Sequence, residues 1–119
     1  VIEEEPDVDG DPMAEEIYFV EDPPSFPGGE DAQLKYFNDS LQYPENAKKQ
    51  MIQGIVYTRF VVEKDGSITN VKVMRGISES LNQEAIRLIE GMPKWNPGKQ
   101  RGKLVRCYYT IPIKFDLKY

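Results

Sequence analysis

The closing segment "KLVRCYYTIPIKFDL", Lys103 to Leu117, constrains the fold most. Val105, Cys107, Tyr109, Ile111, Ile113 and Phe115 alternate without a miss, which reads as one long strand with a single buried face. Pro112 falls inside it on the opposite parity. Proline has no N–H to give a ladder and is confined to sheet edges and bulges. The strand is therefore an edge, or irregular from 112 onward. Two readings of such an edge stand. Its N–H and C=O groups from Lys103 to Ile111 can accept a strand added by another chain, or the edge is simply protected by its Lys, Arg and Pro.

The upstream segments supply the rest of a sheet. "GIVYTRFVVE", Gly54 to Glu63, is strongly β-forming, with Val56, Thr58, Phe60 and Val62 on one face. Asp65-Gly66 tolerates the positive φ of a tight hairpin turn. "SITNVKVMR" returns as a second strand, with Val71 and Val73 on one face and Ile68 off that parity, which implies a register irregularity near the turn. "ISESLNQEAIRLIEGMP" is a helix whose stripe is Leu81, Ala85, Leu88 and Ile89. Ser80 with Gln83 matches a capping box, and Gly91 and Pro93 stop the helix. Earlier, "EDAQLKYFNDSLQ" over 30–42 places Leu34, Phe37 and Leu41 on one helical face. Pro44 suits the first position of a second short helix, with Ala47 and Met51 on one face. The order helix, helix, strand, strand, helix, strand predicts a small two-layer α+β domain. Its three-stranded sheet consists of a hairpin, a helical crossover and an edge strand, with helices on one face. The last strand is expected beside the first, and the pattern also permits it beside the second.

Charge divides the chain. Residues 1–31 carry twelve Asp or Glu and no Lys or Arg, whereas the remainder carries eight acidic and fifteen basic residues. Residues 1–24 read as an acidic linker with a short β-prone run at 17–21, and 25–119 as the folded domain. No run approaches the ~20 apolar residues that cross a bilayer. There is no His and one Cys, Cys107, on the apolar parity of a strand. That composition excludes a nucleophile–histidine pair and argues against a zinc or iron–sulfur site; no cofactor and no catalytic residue is expected. Neither "PGGED" nor "NPGKQRGK" has the spacing of a phosphate loop. The chain reads as a binding protein and not an enzyme.

The loop "GMPKWNPGKQRGKLVR", Gly91 to Arg106, holds the only tryptophan. Lys94, Lys99, Arg101, Lys103 and Arg106 flank Trp95 and lead into Tyr108 and Tyr109. One reading is a basic, aromatic contact surface. The other is that Trp95 caps the core while the cations stay solvated. No nucleic-acid module pattern accompanies the cations, so nucleic acid is not expected as a partner.

"YPENA", "GIVYTRFVVEKDGSITNVKV", "SLNQEAIRLIEGMPKWNPGKQRGK" and "TIPIKF" together resemble the TonB C-terminal domain, in the form common in Bacteroidetes-type bacteria. "PSFPGGEDAQLKYF" is similar to the segment that often precedes it there. The resemblance covers roughly residues 17–117. It implies the periplasmic end of an energy transducer whose inner-membrane anchor lies outside this chain and works with a proton-driven motor complex. Such a domain grips the TonB box of outer-membrane transporters as an added strand and couples proton-motive force to uptake. Carried onto this chain, the resemblance assigns Tyr43 and Pro44 to the contact region, and Leu104, Val105, Arg106, Tyr108, Thr110 and Ile111 to the recipient strand. Lys99, Arg101 and Lys103 would then border that strand and steer an acidic partner. Gly54, Asp65, Gly66, Trp95, Pro97 and Gly98 match positions of the fold. Relatives often carry Gly where this chain has Met51, so the helix–strand turn is expected to be built differently; relatives favour Asp at Asn82, where Asn still serves a helix start. A second implied role is a TonB-like binding or signalling module appended to a membrane sensor peptidase. An open edge can also pair with its own copy, giving a strand-paired homodimer.

Overall fold

A helix of twelve residues organises one layer. The computed structural model describes residues 20 and 22–117, so the β-prone run at 17–21 lies outside the described residues except for Val20. The elements are α1 (Glu30–Ser40), α2 (Glu45–Lys49), β1 (Gly54–Val62), β2 (Ile68–Arg75), α3 (Glu79–Glu90), β3 (Gly98–Gln100), β4 (Lys103–Val105) and β5 (Cys107–Phe115). Leu81, Ala85, Leu88 and Ile89 of α3 are fully buried. They meet Val56, Phe60 and Val62 of β1 and Ile111, Ile113 and Phe115 of β5 in one core, with Ala47 of α2. The main sheet has the order β2-β1-β5 and is antiparallel, so the last strand lies beside the first and forms an edge. The architecture is the expected two-layer α+β domain with a three-stranded sheet.

Backbone geometry explains the hairpin. Gly66, at φ +88, closes the β1–β2 turn, where its N–H donates to the Glu63 carbonyl at 2.8 Å. A Cβ at Gly66 would sit 2.1 Å from the Trp95 carbonyl oxygen, while the Trp95 N–H donates to the Gly66 carbonyl at 2.8 Å. The hairpin turn is thus stitched to the tryptophan loop. The irregularity that Ile68 implies is in β2: Val61 faces Thr69 while Arg59 faces Lys72, which leaves an extra residue in β2, and Asn70 has φ +52. The bulge switches side-chain parity and lets Ile68, Val71 and Val73 all pack on the core.

Several local expectations are corrected. The cap of α3 is Ser78 and not Ser80: Ser78 accepts the Leu81 N–H, and Asn82 Oδ1 accepts the Ile77 N–H at 3.1 Å. Leu34 of α1 is 60% exposed and is not core, whereas Ala32, Tyr36, Phe37 and Leu41 pack against it. The Tyr36 hydroxyl donates to the Leu88 carbonyl at 2.7 Å and ties α1 to α3. Pro44 is the residue before α2 and not its first helical residue. Met51 takes the left-handed conformation itself, at φ +56. The Ile52 N–H bonds the Ala47 carbonyl and the Met51 N–H bonds the Lys48 carbonyl, the paired bonds of a glycine-type helix ending. The turn is therefore built in the form that favours glycine, with methionine standing in it.

The last strand is also corrected. The expected unbroken strand from Lys103 is two strands, because Gln100-Arg101-Gly102-Lys103 folds as a hairpin with φ +55 at Arg101 and +78 at Gly102. β4 pairs with β3, and only β5 joins the main sheet.

Two substitutions test these turns by chemical denaturation. Met51→Gly should raise stability by about 0.5–1 kcal/mol, because it relieves a left-handed side chain that is largely exposed. Gly66→Ala should lower it by about 2 kcal/mol or more, because both its φ and its contact with Trp95 exclude a Cβ.

Candidate functional site

The register between β1 and β5 runs through nine consecutive pairs, from Gly54↔Phe115 to Val62↔Cys107. In an antiparallel ladder, successive residues turn their backbone groups to opposite sides. The Ile111 carbonyl faces β1, where it accepts the Thr58 hydroxyl at 2.8 Å. The backbone groups of Thr110, Pro112 and Lys114 accordingly face away from β1. Among the described residues no strand pairs with β5 on that side. Pro112, which has no N–H, occupies an outward position and leaves the inner ladder whole.

An open groove runs along this edge. One half, of about 460 Å³, is lined by Leu34, Phe37, Tyr43, Pro112 and Lys114 among others. The other, of about 360 Å³, is lined by Gln33, Leu34, Phe37, Tyr109, Thr110 and Pro112 among others. Leu34, Phe37 and Pro112 belong to both, so α1 forms a wall beside the exposed edge. Nearer the start of β5, Val20, Pro23 and Pro24 line a further open pocket together with Tyr108, Tyr109 and Thr110. The segment holding them is anchored by bridges of Asp22 to Lys99 and of Ser25 to Asn96.

The residues singled out from the sequence divide into groups. Thr110 and Tyr108 are on β5, with Tyr108 under the Arg59 guanidinium at 4.3 Å. Ile111 is on β5 as well, but its side chain is buried and its backbone faces β1. Leu104 and Val105 are paired with β3 and lie off the main sheet edge. Arg106 turns inward: its Nε donates to Glu63 Oε1 at 2.7 Å and its Nη2 to Oε2 at 3.2 Å. Lys99, Arg101 and Lys103 are exposed together on the β3–β4 hairpin. Tyr43 reaches the far half of the groove, its hydroxyl bonded to the Ile52 carbonyl and its ring edge-on to Phe115 at 5.7 Å. Pro44 follows it, half-buried.

Trp95 belongs to the fold. It is 3% exposed and packs against Phe26, Phe60 and Tyr109, with ring centroids 5.8, 5.4 and 5.0 Å away. Cys107 is buried, and burial pushes its thiol above its ordinary range, so it stays protonated and inert. A Cβ at Gly98 would lie 2.4 Å from its sulfur. No cluster of three or more His, Cys, Asp or Glu exists among the described residues. Leu34 and Phe37 line the candidate groove, whereas pattern reading assigns them to the core, since helical spacing does not distinguish a groove wall from a buried stripe.

The Glu63–Arg106 pair has a pH signature. Burial works to raise the Glu63 carboxyl, but hydrogen bonds from Arg106 and Thr69 outweigh it and hold the carboxyl below its ordinary value of 4.5. A depressed carboxylate stabilises the fold fully above its unfolded value, and that stability is lost as pH falls through the folded value. Asp65, held down mainly by the Ser67 hydroxyl, adds to the same acid limb. Stability should therefore fall below about pH 4.5. Glu63→Gln should lose about 1.5–3 kcal/mol at pH 7 and show a shallower acid limb in denaturation curves.

Residues 39–117 match the family model described as the Gram-negative bacterial TonB protein C-terminal. No curated protein sequence matches the chain. Two NMR solution structures of the Helicobacter pylori TonB-CTD are similar to it, each at 25% identity. The longer fragment aligns with a TM-score of 0.56 over 78% of this chain and 88% of that one. The shorter aligns with a TM-score of 0.54 over 77% and 99%. With a family match over most of its length, the chain belongs to the TonB C-terminal family, whose members are periplasmic domains that act in transport through protein contacts.

Proposed function

We propose that this domain captures an extended segment near the N-terminus of an outer-membrane transporter, its TonB box, as a strand added to the outer edge of β5. In the full-length protein, an inner-membrane anchor and its proton-driven motor complex would then transmit proton-motive force through that strand to substrate uptake. The observation that carries the reading is the β5 edge, which turns the backbone groups of Thr110 and Lys114 away from β1 and toward an open groove. Membership of a family that interacts with outer-membrane transporters supports it. Tyr108 and Thr110 are the contact residues in this proposal, with Tyr43 and Pro44 at the far end of the groove. Ile111 and Arg106 support the edge from inside. Leu104 and Val105, with Lys99, Arg101 and Lys103, form a basic hairpin beside it that attracts acidic flanks of the partner and accelerates encounter. Residues 1–24 serve as the acidic end of a spacer leading to the domain at 25–119.

Backbone NMR titration with transporter N-terminal peptides tests the capture. Saturable shifts are expected at Thr110, Pro112 neighbours and Lys114; peptides that leave these amides unmoved would count against it. Thr110→Pro removes an outward donor without touching the β1 ladder, so it should weaken binding at least about tenfold while the amide spectrum of β1 and α3 stays native. Charge reversal at Lys99, Arg101 and Lys103 should slow association and flatten its salt dependence, leaving dissociation nearly unchanged.

A further inference from the structure

Among the described residues Leu34 has the highest fractional exposure of the exposed large apolar side chains, at 60%. It stands on the second turn of α1, beside half-buried Phe37, and the two face the outer edge of β5 across an open groove. α1 stands almost entirely before residues 39–117, the part that the family model matches.

Strand geometry says what would fill the gap. A strand added to β5 lies ~4.8 Å from it, and its side chains alternate between the two faces of the sheet. Those on the helical side enter the groove and meet Leu34 and Phe37. Residues two apart on one strand are ~7 Å apart, which distributes consecutive inward side chains between the two halves of the groove. The intervening side chains lie on the opposite face, where Thr110 and Lys114 are exposed, and polar or acidic residues suit that side.

Backbone pairing alone carries little sequence information, and here it is further reduced. Pro112 contributes a carbonyl but no N–H to the outer edge. Selection must then come from side chains. We infer that α1 is a reading wall for the captured strand: Leu34, with Phe37, selects an extended partner segment that carries apolar side chains at every second position and polar or acidic ones between. This rests on the strand capture proposed above. The groove's continuity with the open edge argues for an added strand as its occupant. Lys114, exposed and on the parity opposite the core residues Ile113 and Phe115, argues for acids among the intervening side chains.

The test uses the whole chain and two synthetic nine-residue peptides. One alternates Val with Thr and Glu; the other has Ala in place of each Val. Affinities are measured by NMR titration for the wild type, Leu34→Ala and Leu34→Met. Because Leu34 is exposed, neither change should disturb the fold. The Val peptide should bind about tenfold more weakly to Leu34→Ala and nearly normally to Leu34→Met. The Ala peptide should bind weakly to all three, with less than about a twofold effect of Leu34→Ala, so that the two changes couple in a double-mutant cycle. If the Val peptide shifts Thr110 but is indifferent to Leu34→Ala, the reading wall is wrong and strand capture survives. If neither peptide nor any transporter segment shifts Thr110, both fall. Shifts at Leu34 that follow protein concentration without peptide would assign the groove to a second copy of the chain and overturn the inference.

Discussion

The nine-pair register between β1 and β5 is the constraint on which the rest depends. It places β1 in the middle of the sheet and β5 at its edge. It sends Ile111, Ile113 and Phe115 into the core, and with the same stroke turns the backbone of Thr110, Pro112 and Lys114 outward. Core packing and edge presentation are therefore one property. A slip of one residue would expose the core side chains and bring the proline into the inner ladder, where it would delete a hydrogen bond. The buried Thr58 hydroxyl adds a further lock, since it finds the Ile111 carbonyl only in this register.

The second support is the tryptophan loop. It joins three distant parts of the chain: the β1–β2 turn through Gly66, the N-terminal segment through Phe26 and the Ser25–Asn96 bridge, and β5 through Tyr109. The five cations around it have separate fates. Arg106 is drawn inward by Glu63, Lys94 lies 3.8 Å from Asp65, and Lys99, Arg101 and Lys103 are displayed together. Composition alone makes these cations look like one patch; the hairpin at Arg101-Gly102 is what sorts them.

Much of this was legible in the residues. Period-two alternation in β1 and β5 and the 3.6 period of α3 identify the sheet and its cover, and Pro112 identifies the edge. The break at Arg106 was not, because Val105 and Cys107 keep the alternation going across it. It goes with the pairing of Lys103–Val105 to β3 across a turn in which Arg101 takes the left-handed conformation, which local pattern does not announce. Met51 misleads in the same way, since tertiary packing of Ala47 and Ile52 imposes the turn despite the side chain. Leu34 shows a different gap. Spacing says that a side chain belongs to an apolar stripe, but whether that stripe meets a core or a groove depends on where the sheet ends.

The unequal edges of β5 also bear on mechanics. A load applied along the strand direction is carried on the inner side by nine paired residues acting together in shear. On the outer side a guest strand would be held only by what Tyr108, Thr110, Pro112 and Lys114 can offer, with one donor missing. Under rising tension the weaker seam parts first. In the strand capture proposed above, a guest strand is released while the β1–β5 ladder stays intact, which would make the domain a reusable coupling with a built-in force limit.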